Sequence, residues 1–253
     1  MSERTLDAAV LLIGDELLSG RTRDTNLGTL AQFLAPLGIA VRETRIVSDV
    51  QDDIVAAVQA LAARYRYVFT TGGIGPTHDD ITADAMAKAF GCNIDVREDA
   101  RALLELHYAK QGLELNAARL RMARIPDGAK LIANPVSAAP GFQIENVFVM
   151  AGVPGVMRGM LEDVGKRLEG GAVVQSLSVR GMGLREGNIA EGLGQLAKAS
   201  PELSFGSYPY YGAEGYGVTL VVRGVDEGAV RAACEALSAL IAAEGITPEQ
   251  VSV

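Results

Sequence analysis

Residues 70 to 82 read Thr70-Thr71-Gly72-Gly73-Ile74-Gly75-Pro76-Thr77-His78-Asp79-Asp80-Ile81-Thr82. An apolar run, Tyr67-Val68-Phe69, precedes them with the character of a buried strand, and a helical pattern over 81–90 follows, stopping at Gly91. A strand that gives way to glycines and restarts as a helix leaves backbone N–H groups exposed at a helix N-terminus, which suits an anion such as phosphate. Asp79 and Asp80 flank the same loop, where phosphate chemistry needs a divalent cation held by oxygen ligands.

The flanking sequence repeats this strand–loop–helix unit. Residues 8–13 are an unbroken apolar run, as expected of a parallel strand covered on both faces. A helix over 26–37 ends at Gly38, a strand follows at 39–47, and a helix at 52–64 sets Ile54, Val55, Val58 and Leu61 on one face. Past the loop, 92–96, 130–132, 142–144 and 147–150 read as short strands and 98–111 and 156–167 as helices, with Leu103, Leu104 and Leu106 toward the core. The alternation predicts a three-layer αβα fold on a mostly parallel sheet. Ligands in such folds sit beyond the carboxyl ends of the strands. That rule gathers Gly14-Asp15-Glu16, Asp49 and the loop from Gly72 to Asp80 on one rim. Around Gly170-Gly171 the pattern changes to strand 173–179, helix 188–199, strands 203–208 and 218–222, and an Ala-rich helix over 226–243. The expected organisation is a first domain over 1–169 and a small α+β domain over 172–253.

A chain of 253 residues is long enough for one large or two modest cores. The net charge of −8 argues against nonspecific nucleic-acid binding, which needs a basic surface, but not against a small anion. No window approaches twenty uninterrupted apolar residues, so no membrane span is expected. The opening Met1-Ser-Glu-Arg-Thr-Leu-Asp lacks a signal-peptide layout. Cys92 and Cys234 are far apart and read as reduced thiols of a cytoplasmic protein. With His78 and His107 they make no zinc spacing.

The dinucleotide fingerprint fails, because His78 stands where the third glycine belongs after Gly73 and Gly75, and the ATP-type loop lacks its Gly-Lys-Ser/Thr ending. The stretch instead resembles the loop of the MoaB/Mog family of molybdopterin-binding domains, in its CinA branch (competence/damage-inducible protein A): Thr-Thr-Gly-Gly-x-Gly-Pro-Thr-x-Asp-Asp-x-Thr is met at every specified position. Further segments carry the resemblance in order: Gly14-Asp15-Glu16-Leu17-Leu18-x-Gly20 with Thr25-Asn26, Val47-x-Asp49, Asn134-Pro135-x-x-x-Ala139-Pro140-Gly141-Phe142, and Gly152-Val153-Pro154. One departure is Met150-Ala151 where the CinA branch has Leu-Pro. The resemblance spans residues 6 to 165 and more loosely the remainder, where it implies a KH-like accessory domain. A KH domain clamps nucleotides with a Gly-x-x-Gly loop, which Gly181-Met-Gly183 is not, so no nucleic-acid partner is expected. Full-length CinA proteins carry a further domain associated with nicotinamide mononucleotide deamidation. Nothing here corresponds to it, and no such activity is expected.

Each candidate residue has a plainer alternative. Asp49 and Asp80 fit either helix caps or functional carboxylates, and Asp79 either a ligand or a solvated charge. Asp15 and Glu16 fit a favourable anionic pair ahead of a helical turn or a metal-facing pair. Gly72, Gly73 and Gly75 permit a tight turn and also close approach of a ligand. Asn26 fits a cap or a ligand contact, and Pro135, Pro140 and Gly141 read as loop-shaping first. His78 alone offers a proton-transfer group beside the loop. Tyr208, Tyr210 and Tyr211 fit a hairpin better than a base-stacking surface.

The resemblance implies a metal-dependent pyrophosphatase acting on nucleotide diphosphates such as ADP-ribose. Asp80, Asp49 and Asp15 would be catalytic. Gly72, Gly73, Gly75, Pro76, Thr77, Asn26, Gly141 and Gly152 would contact substrate. Asp80, Asp79, Asp15 and Glu16 would hold Mg²⁺, Mn²⁺ or Co²⁺. The alternatives are a non-hydrolytic module holding the phosphate of molybdopterin, an adenylyltransferase-like relative, or a degenerate assembly domain. A homo-oligomer, a dimer, is expected from the family.

Overall fold

In the computed structural model β1 (Leu6–Ile13) shows why its apolar run is unbroken: Ala9, Leu11 and Ile13 enter one core layer while Ala8, Val10 and Leu12 enter the other. Structure is described for residues 5–212 and 215–251. Residues 1–4, which begin the segment read above for a leader, lie outside that range.

The chain divides into two units, Leu6–Gly171 and a second built from Ala172 onward. After β1 the first unit runs α1 (Asp15–Leu18), α2 (Asn26–Leu34), β2 (Ile39–Val47), α3 (Gln51–Ala62), β3 (Tyr67–Thr71) and α4 (Thr82–Phe90). It continues through β4 (Ile94–Val96), α5 (Glu98–Lys110), α6 (Ala117–Leu120), β5 (Arg124–Pro126), β6 (Lys130–Ile132), β7 (Gly141–Ile144), β8 (Val147–Met150) and α7 (Pro154–Gly165). Six strands form one sheet in the order β2-β1-β3-β8-β7-β6, parallel through β8 and antiparallel beyond it. Helices α3, α4 and α5 cover one face through Ile54, Val58, Leu61, Met86 and Leu104. Helices α2 and α7 cover the other through Leu30, Leu34, Met157, Met160 and Val164. Each such side chain stabilises the fold by about 1.5–3 kcal/mol on burial.

Register decides where the site lies. Leu12 pairs with Ile46 on one side and Thr71 on the other, and Thr71 pairs with Met150. The carboxyl ends of β1, β2, β3 and β8 therefore finish level. On β2 this needs one extra residue: the ladder shifts between Ala8 and Ala9, passing over Arg42, and Val47 then meets Ile13.

Several expectations are corrected. Leu103 and Leu106 face solvent and only Leu104 is buried, because Leu104 shares its helix face with buried Ala100 one turn earlier. The helix expected over 26–37 closes as a 3₁₀ turn, Ala35–Leu37, containing Pro36. The strand expected at 92–96 forms as β4, but its partner β5 and the helix α6 were not foreseen.

The second unit comprises β9 (Gln175–Met182), α8 (Glu186–Ala199), β10 (Ser204–Gly212), β11 (Gly215–Gly224), α9 (Glu227–Ala243) and β12 (Pro248–Val251). Its antiparallel sheet, ordered β10-β11-β9-β12, packs Val179, Leu220 and Val222 with Ile189, Leu237 and Ile241 of the two helices. Tyr208, Tyr210 and Tyr211 lie on β10, paired with β11. No helix of the described residues is long and apolar enough to cross a membrane.

Candidate functional site

A cleft of about 460 Å³ opens where the four parallel strands end. Its walls come from the segment after each strand: Gly14 and Glu16 after β1, Asp49 after β2, Gly72, Gly73, Gly75, Asp79 and Asp80 after β3, and Gly152 after β8. Asn134, Ser137 and Ala139 add a fifth wall.

Hydrogen bonds lock these segments together. The Asp15 N–H donates to Asp49 Oδ2 at 2.9 Å, joining the loops after β1 and β2. Asp49 therefore does not cap α3, whose cap position is Val50 without a side-chain hydrogen bond. At the start of α4 the Thr82 hydroxyl donates to the Gly72 carbonyl at 2.9 Å and the Thr82 N–H to the Gly73 carbonyl at 3.0 Å. The loop thus consumes one of the N–H groups at this helix start. Asp80 is not the cap of α4 either; that position is Ile81, without a side-chain cap. Asn26, 4 % exposed, also proves not to cap: it is the first residue of α2 and donates from Nδ2 to the Gly152 carbonyl at 2.7 Å. The N–H groups of Asn26 and Leu27 are met instead by the Asp24 carboxylate, at 3.1 and 3.0 Å.

The glycines have structural reasons for their identity. Gly72 has φ +112° and a side chain there would strike the Ile13 carbonyl, while Gly73 has φ +65° and faces the Thr82 hydroxyl. A Cβ on Gly75 would lie 2.6 Å from Asp80 Oδ2. All three still line the cleft. Gly141 does not line it; it sits within β7, its side-chain space taken by the Val149 carbonyl. Pro76, Thr77, Asn26 and Asp15 do not line it either: Asn26 is buried, and Pro76, Thr77 and Asp15 are exposed to solvent outside it.

Thr77 organises the carboxylate pair. Asp80 Oδ2 accepts the Thr77 N–H at 2.7 Å, and the Thr77 hydroxyl lies 2.5 Å from Asp79 Oδ1 and 2.6 Å from Asp80 Oδ2. A hydroxyl has one proton to give, so two anionic oxygens share one donor. The Thr77 hydroxyl holds the Asp79 carboxyl below its usual range. Burial pushes the Asp49 carboxyl up; the Asp15 N–H opposes this, while the Asp15, Glu16 and Asp79 carboxylates add to it. Among the described residues no basic side chain lines the cleft. Oxygen-only donors that repel one another fit a hard divalent cation. Among the described residues no three Asp, Glu, His or Cys side chains already stand together as a metal cage. Mg²⁺ usually takes one or two carboxylates and completes its shell with substrate phosphates and water. His78 is 98 % exposed and points away from a shielded proton-transfer role.

Sequence reading missed Thr82 as the latch of the loop, Asp24 as the cap of α2, and Arg121, whose Nη2 reaches the Asp80 carbonyl at 3.4 Å. The Asp24–Thr25–Asn26 run held a usable cap signal. Nothing local marked Arg121, 41 residues from its partner. Asn134 spends its amide on its own loop, donating to Ser137 Oγ and the Ala139 carbonyl and accepting from the Val136 and Ser137 N–H groups.

The family model described as "Probable molybdopterin binding domain" matches residues 9–170, and one described as "FAD synthase, middle domain" matches residues 180–250. A protein of Aeropyrum pernix is 36 % identical over 80 % of this chain and 78 % of its own length. A CinA-like protein of Geobacter metallireducens is 34 % identical over 93 % of this chain and 59 % of its own. The chain spans about half to three-fifths of the CinA-like relatives it matches. Among solved structures, the CinA protein of Thermoplasma acidophilum is 35 % identical with a TM-score of 0.59, covering 66 % of this chain and 99 % of that one.

Proposed function

Because the chain belongs to the family of MoaB/Mog-like molybdopterin-binding domains, with CinA-like proteins among its relatives, we propose that its cleft binds a phosphate-bearing small molecule and hydrolyses a diphosphate bridge, as in ADP-ribose. The observation that carries this reading is the alignment of Glu16, Asp49, Asp79 and Asp80 with the bare backbone of Gly72, Gly73 and Gly75 around one cleft. The match of the second unit to a domain of FAD synthase, whose product contains a diphosphate bridge, points the same way.

Gly72, Gly73 and Gly75 let the diphosphate approach the main chain closely. Asp80 and Asp79 face it from the same loop, with Asp49 and Glu16 across the cleft and the Asp15 N–H steadying Asp49. A divalent cation held by Asp80, Asp79 and Glu16 would neutralise phosphate charge and make water a better nucleophile. The water oxygen bonds to one phosphorus as the bridging P–O bond breaks. The bridging oxygen leaves with the electron pair, and Asp49, which lines the same cleft, takes the proton from water.

Asp80→Asn tests this assignment. The amide keeps an oxygen for the Thr77 N–H, so folding should be spared while turnover falls by at least about 10². A folded variant with wild-type turnover would remove Asp80 from the chemistry. Membership of a molybdopterin-binding family favours a second occupant, a pterin phosphate held without hydrolysis. Tight pterin binding by protein that leaves ADP-ribose intact would select it. We also propose a dimer, to be checked by sedimentation.

A further inference from the structure

We propose that Arg121 is the guanidinium that completes the anion site from behind the Gly73-Ile74-Gly75 loop, donating to a phosphoryl oxygen of the bound diphosphate. This rests on the phosphate reading of the cleft given above.

A second cavity, of about 20 Å³, lies against the same loop and is lined by Gly73, Gly75, Asp80, Asp84, Arg121 and Arg124 among others. It shares Gly73, Ile74, Gly75, Asp80 and Met122 with the main cleft, so the same loop walls both spaces. Its volume is that of a single water-sized atom. A phosphoryl oxygen fills such a space.

The two arginines there differ in what they have left to give. Arg124 is consumed by Asp84, with Nη1 and Nη2 donating to the two carboxylate oxygens at 2.9 and 2.7 Å. Arg121 makes only the long contact from Nη2 to the Asp80 carbonyl, and its Nε is buried without a partner among the described residues. A buried N–H left unpaired is costly, so native structures complete such groups with water or ligand. The surrounding structure fixes Arg121 in place. It opens a 3₁₀ turn, Arg121–Ala123, whose last carbonyl accepts the Arg97 N–H at 2.9 Å, and the next residue is Arg124, pinned to α4.

The main cleft presents carboxylates and no cation of its own side chains. A diphosphate entering it meets repulsion that a divalent cation held by those carboxylates would offset in part. Arg121 supplies fixed positive charge on the other side of the loop, and a planar fork matches phosphate oxygens better than an ammonium does. Donors already aimed at the oxygens where charge grows contribute most in the transition state.

The experiment compares wild type, Arg121→Gln and Arg121→Lys in Mn²⁺ affinity, in affinity for inorganic pyrophosphate with Mn²⁺ present, and in kcat and KM for ADP-ribose. Mn²⁺ affinity should be unchanged. Arg121→Gln should lose about 10- to 100-fold in pyrophosphate affinity and about 10²–10³-fold in kcat. Arg121→Lys should recover part of the affinity and little of the rate; it stands as the test should the Gln variant fail to fold. Wild-type pyrophosphate affinity and kcat in the variants would overturn the proposal, leaving a water in the small cavity. A parallel fall in Mn²⁺ affinity would overturn it too, by assigning Arg121 to holding Asp80. Wild-type protein that does not bind pyrophosphate at all would overturn the phosphate reading itself.

Discussion

Asp49, half-buried after β2, accepts the Asp15 N–H at 2.9 Å and stands near three other carboxylates. Its carboxyl is pushed up by burial and by the Asp15, Glu16 and Asp79 carboxylates, so the folded protein binds this proton more tightly than the unfolded chain does. The corresponding stability is fully present below the ordinary aspartate value of 3.8 and is lost as pH rises through the raised folded value. Metal-free Asp49→Asn should therefore melt about 1–3 °C above wild type at neutral pH, with the gap closing as the pH is lowered toward 3.8. Added Mn²⁺ should stabilise wild type more than the variant. A variant that melts below wild type at pH 7 would show the carboxylate to be compensated already. The quoted loop made Asp79 and Asp80 legible as a pair, but not the hydroxyl of Thr77 between them. The glycines were legible as necessary. Their reasons, the Ile13 carbonyl behind Gly72 and the Thr82 hydroxyl behind Gly73, lie in contacts made by the fold.

Secondary-structure elements carry the site by finishing in register. The parallel strands and their helices were readable because apolar runs and glycine stops mark them plainly: Ile39–Val47, Tyr67–Thr71 and Val147–Met150 lie where the pattern put them. Short pieces stabilised by pairing rather than by pattern were not. β12, Pro-Glu-Gln-Val, has no alternation and exists by adding to the edge of β9. The N-terminus of α2 shows the same limit. Asn26 looked like its cap, yet it is drawn to the distant Gly152 carbonyl, and Asp24 takes over the capping. Asp24→Ala should cost about 1 kcal/mol, read as a lower urea midpoint with unchanged slope. No change in midpoint would mean that water caps the helix equally well.

For the molecule as a whole, the cleft is built entirely from residues of the first unit, between Ile13 and Val156, while the second unit has its own sheet and core. Net charge is −8, yet the expected ligand is itself an anion. Glycine backbone and a bound divalent cation would reconcile the two. Metal-stripped protein incubated with ADP-ribose, with and without Mg²⁺, Mn²⁺ or Co²⁺, and followed by chromatography for AMP, therefore tests the account most directly. The account predicts AMP and ribose 5-phosphate in equal amounts only when metal is present, and none from Asp80→Asn. Folded wild-type protein that yields no AMP with any of the three metals would contradict it.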